Sequence, residues 1–274
     1  MLLEVKDLNV SLTSGKSVAE HISFQLSQGE MLSIVGSSGA GKTTICKAIM
    51  GLLGNAYRAD GEILFQDEKL LDLPERKRQD IYGKEICLIM QNPMTAFNPS
   101  IRVGRQLEKT YLLHHAKTPR QEMQRLFAGI LQRLGLEDTQ RILNSYPFTL
   151  SGGMLQRMMI AAALMCQPSL LIADEATTAI DACNRIGLMR ELKSFCKDGM
   201  SVLFVTHDLR SASVSDRILV MDRGRIIEQG KTEQILNAPK EDYTKYLLSA
   251  CQLERRETVS YTHLRAHETP EHLV

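Results

Sequence analysis

Apolar residues are spaced in two ways along this chain. In LEVKDLNVSL (residues 3–12) they alternate with polar ones, and VAEHISFQL (18–26) and GEILFQ (61–66) repeat the pattern. Alternation at period two predicts strands with one covered face, so these segments predict an antiparallel sheet. Three other segments are continuously apolar: MLSIV (31–35), LLIAD (170–174) and VLFVT (202–206). Unbroken runs of this length suit strands buried on both faces of a parallel sheet. A helix-forming segment follows each run, which predicts a parallel α/β core. RILVMDRGRIIEQG (217–230) predicts a hairpin turning at Asp222-Arg223-Gly224.

Between about residues 92 and 163 the period changes. VGRQLEKTYLLHHA and RQEMQRLFAGILQRLGL place apolar residues at helical spacing among many charges. This stretch predicts a helical subdomain inserted into the core. MLQRMMIAAALM (154–165) belongs to it as a packing helix, and ERKRQD (75–80) is a solvated loop or helix start. Residues from about 232 to 257 predict a helical extension, broken at Asn237-Ala238-Pro239. No internal repeat is visible, so residues 1–257 form one domain.

Residues 258–274 are set apart. They lack apolar periodicity and hold three histidines, His263, His267 and His272. VSYTHLRAHET resembles the translation of a transposon-type sequencing adapter more than a metal-binding tract. The tail is therefore expected to be non-native and is excluded from the fold.

Composition narrows the class without naming it. Of 274 residues, 43% are hydrophobic and 24% charged, as in ordinary globular proteins. A formal net charge of +1 gives no electrostatic case for a nucleic-acid partner. No run of about 18 apolar residues appears and no signal peptide precedes the first strand, so a cytosolic chain is expected. The six cysteines are scattered with no C-x-x-C pair, which predicts free thiols rather than a metal or cluster site.

The chemistry begins at GSSGAGKT (36–43), which fits G-x-x-x-x-G-K-[ST] between the apolar run MLSIV and the helix-like TICKAIMGL. That strand–loop–helix setting is what a phosphate-binding loop requires. Glycines at 36, 39 and 41 let backbone N–H groups wrap a phosphate, and the helix start adds its positive dipole end. The expected nucleotide contacts are Gly36, Ser37, Ser38, Gly39, Ala40, Gly41, Lys42, Thr43 and Thr44. Lys42 supplies the point charge to the β- and γ-phosphates, and the Thr43 hydroxyl a ligand for Mg²⁺. LLIADE (170–175) ends a buried strand on two acids: Asp174 is placed to hold Mg²⁺ and Glu175 to act as general base on the attacking water. VLFVTHD (202–208) ends another with His207, whose neutral imidazole can hydrogen-bond the γ-phosphate.

Any phosphate-loop NTPase could carry these features. LSGGMLQR (150–157) is more specific: it strongly resembles the signature motif of ATP-binding cassette proteins. Gln91 in IMQNP resembles that family's Q-loop, which senses Mg²⁺, and Thr178-Ala179-Ile180-Asp181 its D-loop. The resemblance covers essentially residues 2–250, with every motif in the family's order. It implies a P-loop NTPase parallel-sheet core with an N-terminal antiparallel β-subdomain and an inserted α-helical subdomain. It also implies that Ser151, Gly152 and Gly153, with Asp181, complete an ATP site held by a second subunit. MQNPMTAFNPS (90–100), YPFTLSGGMLQRMMIAAAL (146–164) and NAPKEDYTKYLLSA (237–250) look like the peptide/nickel/opine importer group. Membership would bring a second, different ATPase subunit, two membrane permease subunits and an extracytoplasmic solute-binding protein. ATP hydrolysis would then drive uptake of nickel, a metal chelate or, alternatively, di- and oligopeptides, at the cytoplasmic face of the membrane. A soluble DNA-repair cassette would need long coiled-coil heptads before the signature, and none are present. Two departures stand out. Ala176 follows the catalytic acid where the family has Pro, and residues 9–16 (NVSLTSGK) lack the usual adenine-stacking aromatic.

Overall fold

The computed structural model describes residues 1–176 and 182–251, so Thr178 to Asp181 and the tail at 258–274 lie outside the described residues. Among the described residues ten strands run in chain order: β1 Leu3–Leu12, β2 Ser17–Leu26, β3 Met31–Val35, β4 Tyr57–Phe65, β5 Glu68–Lys69, β6 Ile86–Ile89, β7 Leu170–Asp174, β8 Ser201–Thr206, β9 Arg217–Asp222 and β10 Arg225–Lys231. The helices are α1 Lys42–Ile49, α2 Glu75–Ile81, α3 Pro93–Ala96, α4 Val103–His114, α5 Arg120–Arg133, α6 Thr139–Asn144, α7 Gly152–Met165, α8 Ala182–Lys197, α9 Leu209–Ala212 and α10 Thr232–Asn237. Residues 242–251 form a further helix.

The two spacings of apolar residues fold into two sheets. The alternating segments make a four-stranded antiparallel sheet in the order β2-β1-β4-β5. The continuous runs make a six-stranded sheet in the order β10-β9-β3-β8-β7-β6. Within it β3, β6, β7, β8 and β9 are parallel, and β10 is the antiparallel edge. Every residue of β3, β7 and β8 is buried, as their unbroken apolar sequences require. The hairpin predicted at 222–224 joins β9 to β10.

Two elements differ from the sequence expectation. β6 pairs in parallel with β7, yet its four residues ICLI are too short to tell strand from helix by period. β4 starts at Tyr57, four residues before GEILFQ, and those first four residues are exposed. Backbone pairing with β1 holds them there, with no apolar face to announce them.

The helical insertion packs as one body. Leu107 and Tyr111 of α4, Met123 and Phe127 of α5 and Leu155 and Met158 of α7 share a single buried cluster with strand residues such as Leu171 and Phe204. Tyr111 and Phe127 meet edge to face at 5.6 Å. α7 is the pivot of this packing. Its apolar side chains tie the insertion to the sheet, and its N-terminus, capped by Ser151 accepting from Met154 N at 3.3 Å, stays at the surface. The last helix packs Tyr243, Leu247 and Leu248 against Val35, Leu209, Ala212 and Ile218. This helix is thereby fixed to the strand that feeds the 36–43 loop.

Candidate active site

Strand order decides which side chains meet. β3, β8 and β7 are neighbours and parallel, so Gly36, His207 and Asp174-Glu175 all emerge at the same carboxyl edge. There the chain encloses a half-open cavity of about 650 Å³, lined by Ser37, Ser38, Gly39, Gly41, Lys42, Thr43, Thr44, Gln91, Glu175, His207 and Val18.

The loop's shape depends on two glycines. A Cβ on Gly36 would come within 2.2 Å of the Met221 carbonyl oxygen, so the chain passes β9 too closely for any side chain. Gly41, the N-cap of α1, has φ +98°, and a Cβ there would meet the Val18 carbonyl at 2.7 Å. Lys42 begins α1 and is buried. Its Nζ donates to Gly36 O and Ser37 O, each at 2.8 Å, so the ammonium braces the loop it belongs to. Burial pulls the Lys42 pKa down from its ordinary value, and the charges of Glu175 and Asp174 oppose that shift.

Asp174 is almost fully buried behind Thr43. Desolvation raises its carboxyl above the usual aspartate range, with the Thr43 hydroxyl and Lys42 pulling the other way. Its Oδ1 has no hydrogen-bond partner among the described residues. Buried polar oxygens are seldom left so, and an oxygen-lined gap beside a hydroxyl is where a hard cation fits. Glu175 sits just past the strand with φ +50°, a left-handed backbone that non-glycine residues adopt rarely and mostly at working sites. Its carboxylate is held at both oxygens: Oε1 lies 2.9 Å from His207 Nδ1, and Oε2 accepts from Gln91 Nε2 at 3.5 Å. Glu175 N donates to Val205 O at 2.8 Å, which fixes the turn in the absence of a proline at Ala176.

The expected residues thus fall into three groups. Ser37, Ser38, Gly39, Gly41, Lys42, Thr43, Thr44, Gln91, Glu175 and His207 line the cavity, with Gly36, Ala40 and Asp174 immediately behind it. Ser151, Gly152 and Gly153 do not line it, and Ser151 and Gly152 are exposed at the start of α7. Asp181 lies outside the described residues. Sequence patterns missed two contributors. Val18, on β2, forms an apolar wall where no aromatic ring is available, and its own segment offers no phosphate signal. Tyr243 Oη accepts a hydrogen bond from Ser37 N at 3.0 Å across 206 positions of chain, a distance no local pattern spans.

The profile of the family described as ABC transporter matches residues 19–178. The metal-staphylopine import system ATP-binding protein CntD of Staphylococcus aureus is 40% identical over 251 residues, covering 90% of this chain and 92% of that protein. The oligopeptide transport ATP-binding protein OppD of Bacillus subtilis is 40% identical over 256 residues, covering 91% of this chain and 71% of that protein. Among solved structures, cbiO1 from Clostridium perfringens, part of the ABC transporter complex cbiONQ, aligns with TM-score 0.76 at 25% identity over 86% of this chain and 91% of that one. The dimeric post-hydrolysis state of the ATP-binding cassette MJ0796, bound to ADP and Pi, aligns with TM-score 0.74 at 27% identity over 84% and 99%.

Proposed function

This chain belongs to the ABC transporter family and is the ATPase subunit of an importer, and we propose that it powers uptake of nickel or a metal chelate, in the manner of a nickel-import ATP-binding subunit. The observation that carries the ATPase half is the meeting of Lys42, Gln91, Glu175 and His207 around one cavity. The observation that favours a metal chelate is that the 40% identical match to a metal-staphylopine import ATPase runs over nine-tenths of both chains, against 71–76% of the peptide ATPases. Dipeptide and oligopeptide import ATPases at the same identity support peptides as the second reading.

We assign the roles as follows. The backbone of 36–44 and the Lys42 ammonium take the phosphates of ATP, and Val18 packs against its nucleoside end. Thr43 and Asp174 present oxygens suited to Mg²⁺, with the Gln91 amide oxygen within the same cavity, and the ion would offset charge on the β- and γ-phosphates. Glu175, held by His207 and Gln91, orients a water against the γ-phosphorus and takes up its proton as the new P–O bond forms. The bond from the γ-phosphorus to the bridging oxygen breaks, and ADP and phosphate leave. His207 keeps the carboxylate aimed through Nδ1, and its other ring nitrogen would hydrogen-bond the γ-phosphate.

Ser151, Gly152 and Gly153 lie at an exposed helix N-terminus outside this cavity. Their use requires phosphate carried by another molecule, so the partner is a second cassette, paired as a heterodimer; Asp181 of the D-loop, outside the described residues, is assigned to the same nucleotide contacts. Among the described residues no helix is long and apolar enough to cross a membrane. Work across a membrane then needs two permease subunits, to which the chain binds peripherally on the cytoplasmic face, and an extracytoplasmic solute-binding protein for the cargo. Nickel uptake by cells carrying the whole transporter tests the cargo. Uptake should be lost when this gene is deleted, return with the wild-type gene and stay lost with Glu175→Gln. Nickel uptake indifferent to the deletion, with peptide uptake lost, would move the assignment to peptides.

A further inference from the structure

Helix 242–251 lies outside every phosphate-binding motif, yet it reaches the phosphate loop. Tyr243 Oη accepts the Ser37 N–H at 3.0 Å. That N–H belongs to the peptide unit whose carbonyl, Gly36 O, accepts Lys42 Nζ at 2.8 Å. One peptide plane is therefore held at both ends, by a tyrosine on one side and the loop lysine on the other. Hydrogen bonds in series through a peptide polarise and strengthen one another. Turning that plane would displace the Gly36 carbonyl and the ammonium that braces on it. Lys42 uses two of its three donors on the loop, so where the loop carbonyls sit determines where its remaining donor points.

Tyr243 is itself held in place by three sets of contacts, one of them the Tyr246 ring stacked on it at 6.5 Å. Its helix packs on Val35, the residue just before Gly36, and on Leu209 and Ala212, which follow His207. Ahead of the helix, the Glu228 carboxylate of β10 accepts from Lys240 N at 2.8 Å and Glu241 N at 3.2 Å. Thr244, next to Tyr243, is fully buried. The tyrosine ring is thus anchored from the sheet and from β10, while its hydroxyl meets the loop.

We propose that Tyr243 is a positioning residue for ATP, holding the Gly36–Ser37 peptide so that the loop and Lys42 are set for phosphate before ATP arrives. The proposal rests on the assignment of 36–44 as the ATP loop, and Lys42→Ala checks that assignment separately. The test uses the full chain, with ATP affinity measured by titration and turnover measured in the assembled transporter. Tyr243→Phe keeps the ring and its packing and removes only the hydroxyl. It should weaken ATP binding about fivefold, the factor of one neutral hydrogen bond, and raise KM in step. kcat should stay within about twofold, because the reacting groups are untouched, and the melting temperature should fall by no more than about 4 °C, the scale of one neutral hydrogen bond. Tyr246→Phe keeps the exposed ring that stacks on Tyr243 at 6.5 Å and removes only its hydroxyl, so it should match wild type. Wild-type affinity in Tyr243→Phe overturns the proposal. So does an affinity loss that Tyr246→Phe shares, or one that accompanies a fall in melting temperature well beyond that of one hydrogen bond. If Lys42→Ala binds ATP like wild type, the site assignment itself fails and takes the proposal with it.

Discussion

Two helix N-termini in this chain carry glycine-rich sequence that can bind an anion, and their surroundings are opposite. At α1 the loop is enclosed: Gly36 lies against β9, Lys42 and Asp174 are buried, and Gln91, Glu175 and His207 close the cavity from neighbouring strand ends. At α7 Ser151 and Gly152 are exposed, and behind them the helix packs into the core. The first site is assembled by one chain, because parallel strands deliver their carboxyl ends to one edge. The second presents Ser151 and Gly152 at the surface, outside the cavity that holds Lys42 and Glu175. In the proposed function such a half-site acts on a phosphate presented by another cassette. The difference explains why the catalytic acid and the signature sit on separate bodies of the same chain.

The largest expected effect tests the enclosed site. Glu175→Gln keeps the shape but removes the base and turns one of its two partnered oxygens into a donor, so turnover by the assembled transporter should fall about a thousandfold. ATP binding should persist, and loss of binding would show that Glu175 holds the loop rather than the water. The next effect tests the exposed site. Ser151→Arg removes the cap and fills the approach to α7, which should cut turnover about a hundredfold, the scale of losing a donor to developing charge. ATP affinity of the isolated chain should be unchanged. A matching fall in that affinity would mean that α7 contacts the chain's own nucleotide, and the contrast would collapse.

A smaller effect concerns the segment that carries His207. The Asp208 carboxylate accepts from Arg210 N at 3.0 Å, Ser211 Oγ at 2.8 Å and Arg185 Nη1 at 3.0 Å. Burial alone would raise its pKa, but these bonds outweigh burial and leave it below the ordinary aspartate range. A carboxyl with a depressed folded pKa stabilises the fold above its unfolded value near 4, and that stabilisation vanishes as pH falls through the lower folded value. Asp208→Asn should therefore cost about 1–2 kcal/mol at pH 7 by denaturant titration, with the gap to wild type closing below about pH 4. A gap that does not change with pH would mean that the carboxylate charge contributes nothing there.

Much of this contrast was legible in the residues. MLSIV, LLIAD and VLFVT read as buried parallel strands because they lack any polar face, and strand ends predict where Gly36, Asp174, Glu175 and His207 meet. The phosphate loop was legible because glycine, lysine and threonine each have a separate task at a fixed offset. β6 and the polar beginning of β4 were not, since their pairing is made by backbone partners far away in sequence. Val18 and Tyr243 were not legible either. Each meets the loop through tertiary packing, and neither residue type at its position carries a local phosphate signal.

The central claim is that the ATP site is completed by the exposed N-terminus of α7 from a second cassette. Sedimentation velocity of the Glu175→Gln chain in ATP and Mg²⁺, alone and with its partner cassette, tests it most directly. The account predicts a dimer-sized species in ATP, a monomer in ADP, and a return to monomer when Ser151→Arg is introduced in both cassettes. A chain that stays monomeric in ATP with the partner present, or a dimer indifferent to both the nucleotide and Ser151, would contradict it.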